Sequence, residues 1–251
     1  MIFSSPKVVV VTGASAGIGA ATARTLAAEG HRVYVGARRL DRLEILTKEY
    51  SAVSCHLDVS DTNSVNNFVA QLPEQVDVLI NNAGGALGLE QLSEMDEENW
   101  TTMYQVNVLG IARITKSLLP RLLNRTSSVA NVINMGSVAG FETYIGGGGY
   151  TASKHAVRAI TETMRLEWLG KPIRVTEIDP GFVKTEFSSV RFSGDMERVD
   201  AVYEGMVPLA AEDIAATVSW IISLPDHVNI DQLIIRPRDQ ARIDKIYRRE
   251  G

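Results

Sequence analysis

An unbroken β-branched run, Lys7-Val8-Val9-Val10-Val11-Thr12, opens directly into Thr12-Gly13-Ala14-Ser15-Ala16-Gly17-Ile18-Gly19. A helical pattern follows from about Ala20 to Glu29 and stops at Gly30, a residue suited to a helix C-terminus. A strand with no polar alternation is covered on both faces, which is the situation of a strand inside a parallel sheet. Glycines after such a strand allow a tight turn and close backbone approach, and the helix start offers unpaired N–H groups to a phosphate. The position of the turn, between a buried strand and a helix, separates a dinucleotide-binding turn from an ordinary glycine-rich loop.

Strand and helix patterns alternate along the rest of the chain. Arg32 to Ala37 reads as a second strand, with a helix over Leu40 to Glu49; Val53 to Leu57 reads as a third, with a helix over about Asp61 to Gln71. Val76 to Ile80 is a fourth strand, ending in Asn81-Asn82-Ala83-Gly84. The acid-rich Glu94 to Glu98 then leads into a long helix from about Trp100 to Leu123 that carries Asn107, a polar residue compatible with an exposed face. Val129 to Met135 is a fifth strand, a helix runs from Tyr150 to about Leu169, and Ile173 to Ile178 is a sixth strand. Ala211 to Ser223 reads as the last helix, Gln232 to Ile235 as the last strand, and Arg236 to Gly251 as a polar tail. This order predicts an α/β fold: a single Rossmann-type doubly wound parallel sheet of about seven strands with helices on both faces, joined by right-handed crossovers. No repeat, low-complexity run or linker divides the 251 residues, so residues 1–251 are expected to form one domain. Residues from about 186 to 208 are polar and charged, with no clear period before Met196, and are expected to form a substrate lid.

Composition narrows the function. With 45% hydrophobic residues, 22% charged and a net charge of −5, the chain suits a soluble domain with a sizeable core and argues against a nucleic-acid partner. The opening Met1-Ile2-Phe3-Ser4-Ser5-Pro6-Lys7 is too short and polar for a signal peptide. No apolar run approaches the roughly 18 residues of a membrane span, so a cytoplasmic protein without membrane contact is expected. Cys55 is the sole cysteine and reads as a packed small hydrophobe. His31, His56, His155 and His227 lack ligand spacing, so no metal site is expected.

Two stretches carry chemistry. The second strand ends at Ala37 and is followed by Arg38-Arg39. An acid near this position of a dinucleotide fold binds the adenosine ribose hydroxyls, whereas an arginine accommodates a 2′-phosphate, so NADP(H) is favoured over NAD(H). The second stretch runs Gly136-Ser137-Val138-Ala139-Gly140 through Gly146-Gly147-Gly148-Gly149 to Tyr150 and Lys154. Tyr150 and Lys154, four apart in a helix, share one face. A strand end then presents a hydroxyl, and a helix a phenol with an ammonium beside it. The cation favours the phenolate and brings Tyr150 toward useful acid–base range.

Together these residues resemble the short-chain dehydrogenase/reductase family, in its catalytic-tetrad branch, over nearly the whole chain. The matching positions are Thr12-Gly13 with Gly17-Ile18-Gly19, Asp58-Val59, Asn81-Asn82-Ala83-Gly84, Asn107, Ser137, Tyr150, Lys154 and Pro180-Gly181. The resemblance implies hydride chemistry between nicotinamide and an alcohol or carbonyl. It implies Tyr150 as acid–base, Lys154 holding the nicotinamide ribose and lowering the Tyr150 pKa, and Ser137 on the substrate oxygen. Asn107 would support a water linking Lys154 to solvent. For the cofactor it implies the Gly13, Ser15, Gly17, Ile18, Gly19 turn, Arg38 and Arg39, and Asp58 and Val59 at adenine. Asn81, Asn82, Ala83 and Gly84 would flank the adenosine ribose, and Pro180, Gly181, Val183 and Thr185 would hold the nicotinamide end.

The run Thr185-Glu186-Phe187-Ser188-Ser189-Val190-Arg191-Phe192-Ser193-Gly194-Asp195 and the ending Ile235-Arg236-Pro237-Arg238-Asp239-Gln240 are similar to the NADP-dependent 3-hydroxy acid (serine/malonic semialdehyde) dehydrogenase subgroup. That similarity implies a short 3-hydroxy acid or semialdehyde as substrate and a cytoplasmic homotetramer, with Arg191 expected to pair with a substrate carboxylate. The four glycines at 146–149 predict a wider or more mobile pocket wall, which keeps open a reductase of bulkier ketones or aldehydes, of 3-oxoacyl or secondary-metabolite type. A non-catalytic NADP(H) sensor would have no need of the tetrad.

Overall fold

The structure is a computed structural model that describes residues 5–124 and 128–249; residues 1–4 of the opening stretch and 250–251 of the tail lie outside the described residues. β1 (Val8–Thr12) leads through the glycine turn into α1 (Gly17–Ala28), and β2 (Arg32–Ala37) into α2 (Leu40–Tyr50). β3 (Val53–His56) is followed by α3 (Thr62–Ala70), whose first turn is capped by the Asp61 carboxylate accepting the Asn63 N–H at 2.9 Å. β4 (Val78–Asn81) precedes α4 (Glu97–Tyr104), capped in the same manner by Asp96. The helix predicted from Trp100 to Leu123 therefore starts earlier, and one π-helical turn at Gln105–Leu109 interrupts it before α5 (Gly110–Leu123).

β5 (Ala130–Met135), α6 (Gly148–Glu167) and β6 (Ile173–Pro180) form the next unit. The stretch with little visible period contains two short helices, α7 (Phe187–Arg191) and α8 (Met196–Tyr203), followed by α9 (Ala211–Ser223) and β7 (Gln232–Ile235). The expected polar tail differs. It folds as an antiparallel hairpin, β8 (Gln240–Arg242) with β9 (Lys245–Ile246). Its alternation is short and its anchors are polar, which hides it from hydrophobic periodicity.

The seven strands are all parallel, in the order β3-β2-β1-β4-β5-β6-β7. Alternate β1 side chains serve opposite cores, as a period of two demands. Val9 and Val11 join Ile80, Ile133 and Ile178 under α1, α2 and α9, with Leu26, Leu43 and Ile214 filling that layer. Val10 joins Leu79, Val132 and Val175 under α3, α5 and α6, with Phe68, Ile114 and Val157. Each fully buried Leu, Ile or Phe stabilises the sheet by roughly 1.5–3 kcal/mol, so these two layers fix where the strand ends lie. Strand order reverses between β1 and β4, and the carboxyl ends there form the crevice in which a doubly wound sheet binds ligands.

Candidate active site

A cleft of about 720 Å³ opens along the carboxyl ends of the strands. Gly13 starts its floor with φ +67°, and a Cβ there would lie 2.7 Å from Ala83 Cα. Backbone closeness between the first turn and the turn after β4 thus requires glycine. Ser15, Gly17, Ile18, Arg38, Arg39, Asp58, Val59, Asn82, Ala83 and Gly84 line one end of the cleft. Ser137, Tyr150, Lys154, Pro180, Gly181, Val183 and Arg191 line the other, and Thr185 lies against Gly17, where a Cβ would come within 3.2 Å of it.

Three predicted positions stand behind the wall. Gly19 packs against Asn82 and the Gly13 carbonyl. Asn81 is buried and donates to Thr115 Oγ1 at 2.9 Å and Asn134 Oδ1 at 2.8 Å, tying β4 to α5 and β5. Asn107, compatible by sequence with an exposed face, is 1% exposed. The π-helical turn rotates it inward, where its Nδ2 donates to the Gly85 carbonyl and Ser153 Oγ while its Oδ1 accepts the Gly85 N–H. It acts as a strut between the β4 loop and α6.

At the cofactor-facing end, Arg39 donates from Nη2 and Nε to Ser15 Oγ at 3.0 and 3.2 Å, and its Nη1 lies 3.1 Å from Glu186 Oε2. Arg42 holds the other oxygen of Glu186. Asp58 is spoken for by Ser60: burial pushes its carboxyl up, but the Ser60 hydroxyl and amide and the charge of Arg38 carry it below the usual range.

At the chemical end, Lys154 Nζ donates to the Met135 carbonyl at 2.7 Å and sits 5.8 Å from the Tyr150 ring centre. Burial pulls its ammonium down to about 8, with Glu177 and Asp179 opposing that fall. The Tyr150 phenol does not follow the expected direction. Burial drives it well above tyrosine's ordinary range, and the hydrogen bond from the Ser137 hydroxyl offsets only part of that. In a site this dry, desolvation of the phenolate outweighs the charge of Arg191, the cation that favours it. The arrangement presents one neutral phenol, one hydroxyl beside it and one buried ammonium, a set able to pass a proton at Tyr150 Oη.

The glycine run does not leave the wall open. Cβ atoms at Gly147, Gly148 and Gly149 would lie 2.5 Å from the Tyr144 ring, 2.8 Å from the Trp100 ring and 2.6 Å from Met103 Cε. Neighbouring aromatic and Met side chains fill the space the glycines vacate, so the predicted width and mobility are replaced by close packing. Arg191 is anchored across this wall, with Nε donating to the Gly88 carbonyl at 2.9 Å and Nη1 to Tyr144 Oη at 2.8 Å, and its guanidinium lies 5.9 Å from the Tyr150 ring centre. Tyr144, Gln240 and Ile243 also line the cleft and escaped sequence reasoning. Gln240 accepts the Phe182 N–H at 3.0 Å, so the hairpin braces the loop after β6. The hairpin's turn falls at Ile243-Asp244, between the three-residue β8 and the two-residue β9, too short a run to show a period.

Comparison with known proteins gives the same picture. Residues 7–195 match the family model described as short chain dehydrogenase. An uncharacterized oxidoreductase of Mycobacterium tuberculosis is 51% identical over 235 residues, covering 94% of this chain and 92% of that protein. The NADP-dependent 3-hydroxy acid dehydrogenase of Salmonella typhimurium is 41% identical over 240 residues, covering 93% of this chain and 96% of that protein. The closed form of serine dehydrogenase complexed with NADP+ superposes with a TM-score of 0.91 at 37% identity, covering 97% of this chain and 100% of that one.

Proposed function

The chain belongs to the short-chain dehydrogenase family, and from that premise we propose that it is an NADP(H)-dependent oxidoreductase interconverting a short 3-hydroxy acid and its semialdehyde. The residues present fit the cofactor: glycine backbone meets glycine-turn backbone at Gly13 and Ala83, and Arg38, Arg39 and Ser15 gather donors where a 2′-phosphate would need them. When bound, the nicotinamide supplies or takes up the hydride.

The chain's residues do the rest. Tyr150 Oη exchanges a proton with the substrate oxygen, and its burial keeps it neutral until then. Ser137 Oγ orients that oxygen and steadies the charge developing on it. Lys154 holds the ribose hydroxyls and lends its charge to the phenolate as it forms. Asn107 keeps the π-helical turn and α6 in register, the setting for a water path from Lys154. The Pro180, Gly181, Val183 and Thr185 loop, braced by Gln240, holds the nicotinamide end. Residues 186–208, carrying α7 and α8, act as the lid and exclude water.

The observation that carries the substrate class is Arg191, a guanidinium fixed at two points inside the cleft beside Tyr150. A fork so held matches a carboxylate. The reading as a reductase of bulkier ketones rested on a side-chain-free wall, and the packing of Trp100, Met103 and Tyr144 against the glycines removes that support. No helix among the described residues is long and apolar enough to cross a membrane, and the proposed setting is the cytoplasm. A homotetramer is proposed as well, with the exposed Leu166 at the end of α6 and Leu169 just past it available for a subunit contact; light scattering after gel filtration tests it.

The test of function is steady-state turnover followed by reduced-nicotinamide absorbance. It crosses NADP+ and NAD+ with L-serine, 3-hydroxypropionate, 3-hydroxyisobutyrate and neutral secondary alcohols, with Tyr150→Phe as control. Hydroxy-acid turnover with NADP+, lost in the control, is expected. Turnover of neutral alcohols alone would reject the carboxylate pocket, and NADP+ binding without turnover of anything would revive the sensor.

A further inference from the structure

Two acids lie directly beneath the site and have no part in the mechanism above. Glu177 and Asp179 are two apart on β6 and so point to the same face, and they are 2% and 0% exposed. Gly136, the residue before Ser137, admits them: a Cβ there would fall on Asp179 Oδ1 and come 2.7 Å from Glu177 Oε1. Asp179 Oδ1 accepts the backbone N–H of Ser137 at 2.8 Å, and its Oδ2 accepts Gln232 Nε2 at 2.7 Å. Glu177 Oε1, by contrast, is buried with no hydrogen-bond partner.

This asymmetry assigns the proton. A carboxylate fed by two N–H donors is stable as an anion, while a buried oxygen without a donor is far cheaper neutral. Two adjacent buried carboxyls also cannot both ionise without strong repulsion. Burial pushes both acids above the ordinary carboxylate range; the neighbouring charge of Asp179 pushes Glu177 up further, and the Thr161 hydroxyl on α6 opposes that rise only in part. The ionisable groups that face the pair, Lys154 and Tyr150, both come from α6; β7 contributes the neutral Gln232.

We infer that Glu177 and Asp179 act as one singly protonated pair that fixes Ser137 through its backbone amide and supplies the negative charge facing the buried ammonium of Lys154. They are positioning residues. Asp179 carries the charge and Glu177 stores the proton that keeps the pair at one charge through the working range. The inference rests on the acid–base reading of Tyr150 and Lys154 and is independent of which carbonyl is reduced.

Glu177→Gln and Asp179→Asn, both near-isosteric, test it with two readouts. The first needs no activity: urea unfolding of wild type and Glu177→Gln across pH 5 to 7. A proton held by the folded pair and lost from the unfolded chain makes wild-type stability fall as pH rises, by about tenfold in the unfolding constant per pH unit. The glutamine, unable to ionise, removes that contribution, so Glu177→Gln gains about tenfold per pH unit on wild type. Parallel pH dependences would overturn the shared proton, whatever the enzyme turns over. The second readout is the pH profile of kcat/KM with whichever carbonyl the wild type reduces best, alongside the pH dependence of NADPH binding followed by its fluorescence. Asp179→Asn, lacking the counter-charge, moves the basic limb of both curves to lower pH, while Glu177→Gln leaves them in place. An Asp179→Asn protein that folds and binds NADPH with an unmoved limb would overturn the electrostatic role, leaving a structural one.

Discussion

The guanidinium of Arg191 reaches across the cleft to donate to the Tyr144 hydroxyl at 2.8 Å, joining α7 to the segment that precedes α6. The two rings of Tyr144 and Tyr150 flank it, with its carbon 5.3 and 5.9 Å from their centres. A fork preorganised in this way loses little entropy on meeting a carboxylate. A charge-assisted hydrogen bond is worth about 1.5–3 kcal/mol, so Arg191→Ala is expected to raise KM for 3-hydroxypropionate by roughly 10–100-fold. Turnover of a neutral secondary alcohol stays within about threefold, since uniform binding affects KM and not the chemical step. Equal losses for acid and neutral substrates would place Arg191 in the scaffold instead.

At the opposite end of the cleft, Glu186 competes with any anion for Arg39 and Arg42. Those two arginines hold the Glu186 carboxyl below its ordinary range. All three side chains are around 41–45% exposed, so each pair contributes under about 1 kcal/mol. Glu186→Gln is therefore expected to lower KM for NADP+ by no more than about fivefold and to leave KM for NAD+ unchanged. Arg39→Ala acts in the other direction, raising KM for NADP+ about tenfold or more. Competition assays at low and high salt check both, because screening shrinks each effect.

Gly149 precedes Tyr150 and is buried against Trp100 and Met103. Adding one methyl in Gly149→Ala overpacks that contact at a cost of about 1–3 kcal/mol, lowering Tm by roughly 3–10 °C. The methyl also displaces the start of α6, so kcat is expected to fall more than KM rises. Thermal melts and initial rates on the same preparation distinguish this from a surface glycine, whose replacement would raise Tm slightly.

The sheet was legible because strand and helix patterns alternate and β1 carries an uninterrupted run of valines, even though β5 and β6 hold buried polar residues, and the candidate pair because Tyr150 and Lys154 share a helical face at fixed spacing. What escaped depends on three-dimensional neighbours. Asn107 looks like a surface residue until a π-helical turn rotates it into the interior, and no local propensity encodes that turn. The glycines at 146–149 look like slack, although Leu89, Tyr144, Trp100 and Met103 occupy their space. The direction of the Tyr150 ionisation was misjudged for the same reason: spacing reveals the cation four residues on, whereas burial, which dominates, belongs to the whole fold. Gln240 reaches the loop after β6 from a tail whose own pattern is too short to read.

Burial of Lys154 has a consequence for stability that can be read separately from catalysis. Its ammonium is pulled down to about 8 from an ordinary 10.5, so between those pH values the folded protein binds fewer protons than the unfolded chain. Stability contributed by this group therefore rises with pH through that window, by about 1.4 kcal/mol per pH unit at most. Lys154→Met keeps the length and apolar stem of the side chain but cannot titrate. Its stability relative to wild type is expected to decline steadily from pH 8 to 10.5, by up to about 3 kcal/mol, with activity lost throughout. The slope is the measured quantity, because removing the ammonium also deprives Asp179 of its counter-charge and changes the absolute level. Urea titrations at half-unit pH intervals give that slope directly. Wild type and Lys154→Met curves that stay parallel up to pH 10.5 would mean that the ammonium keeps its ordinary affinity for a proton, and that Asp179 cancels the cost of burying it.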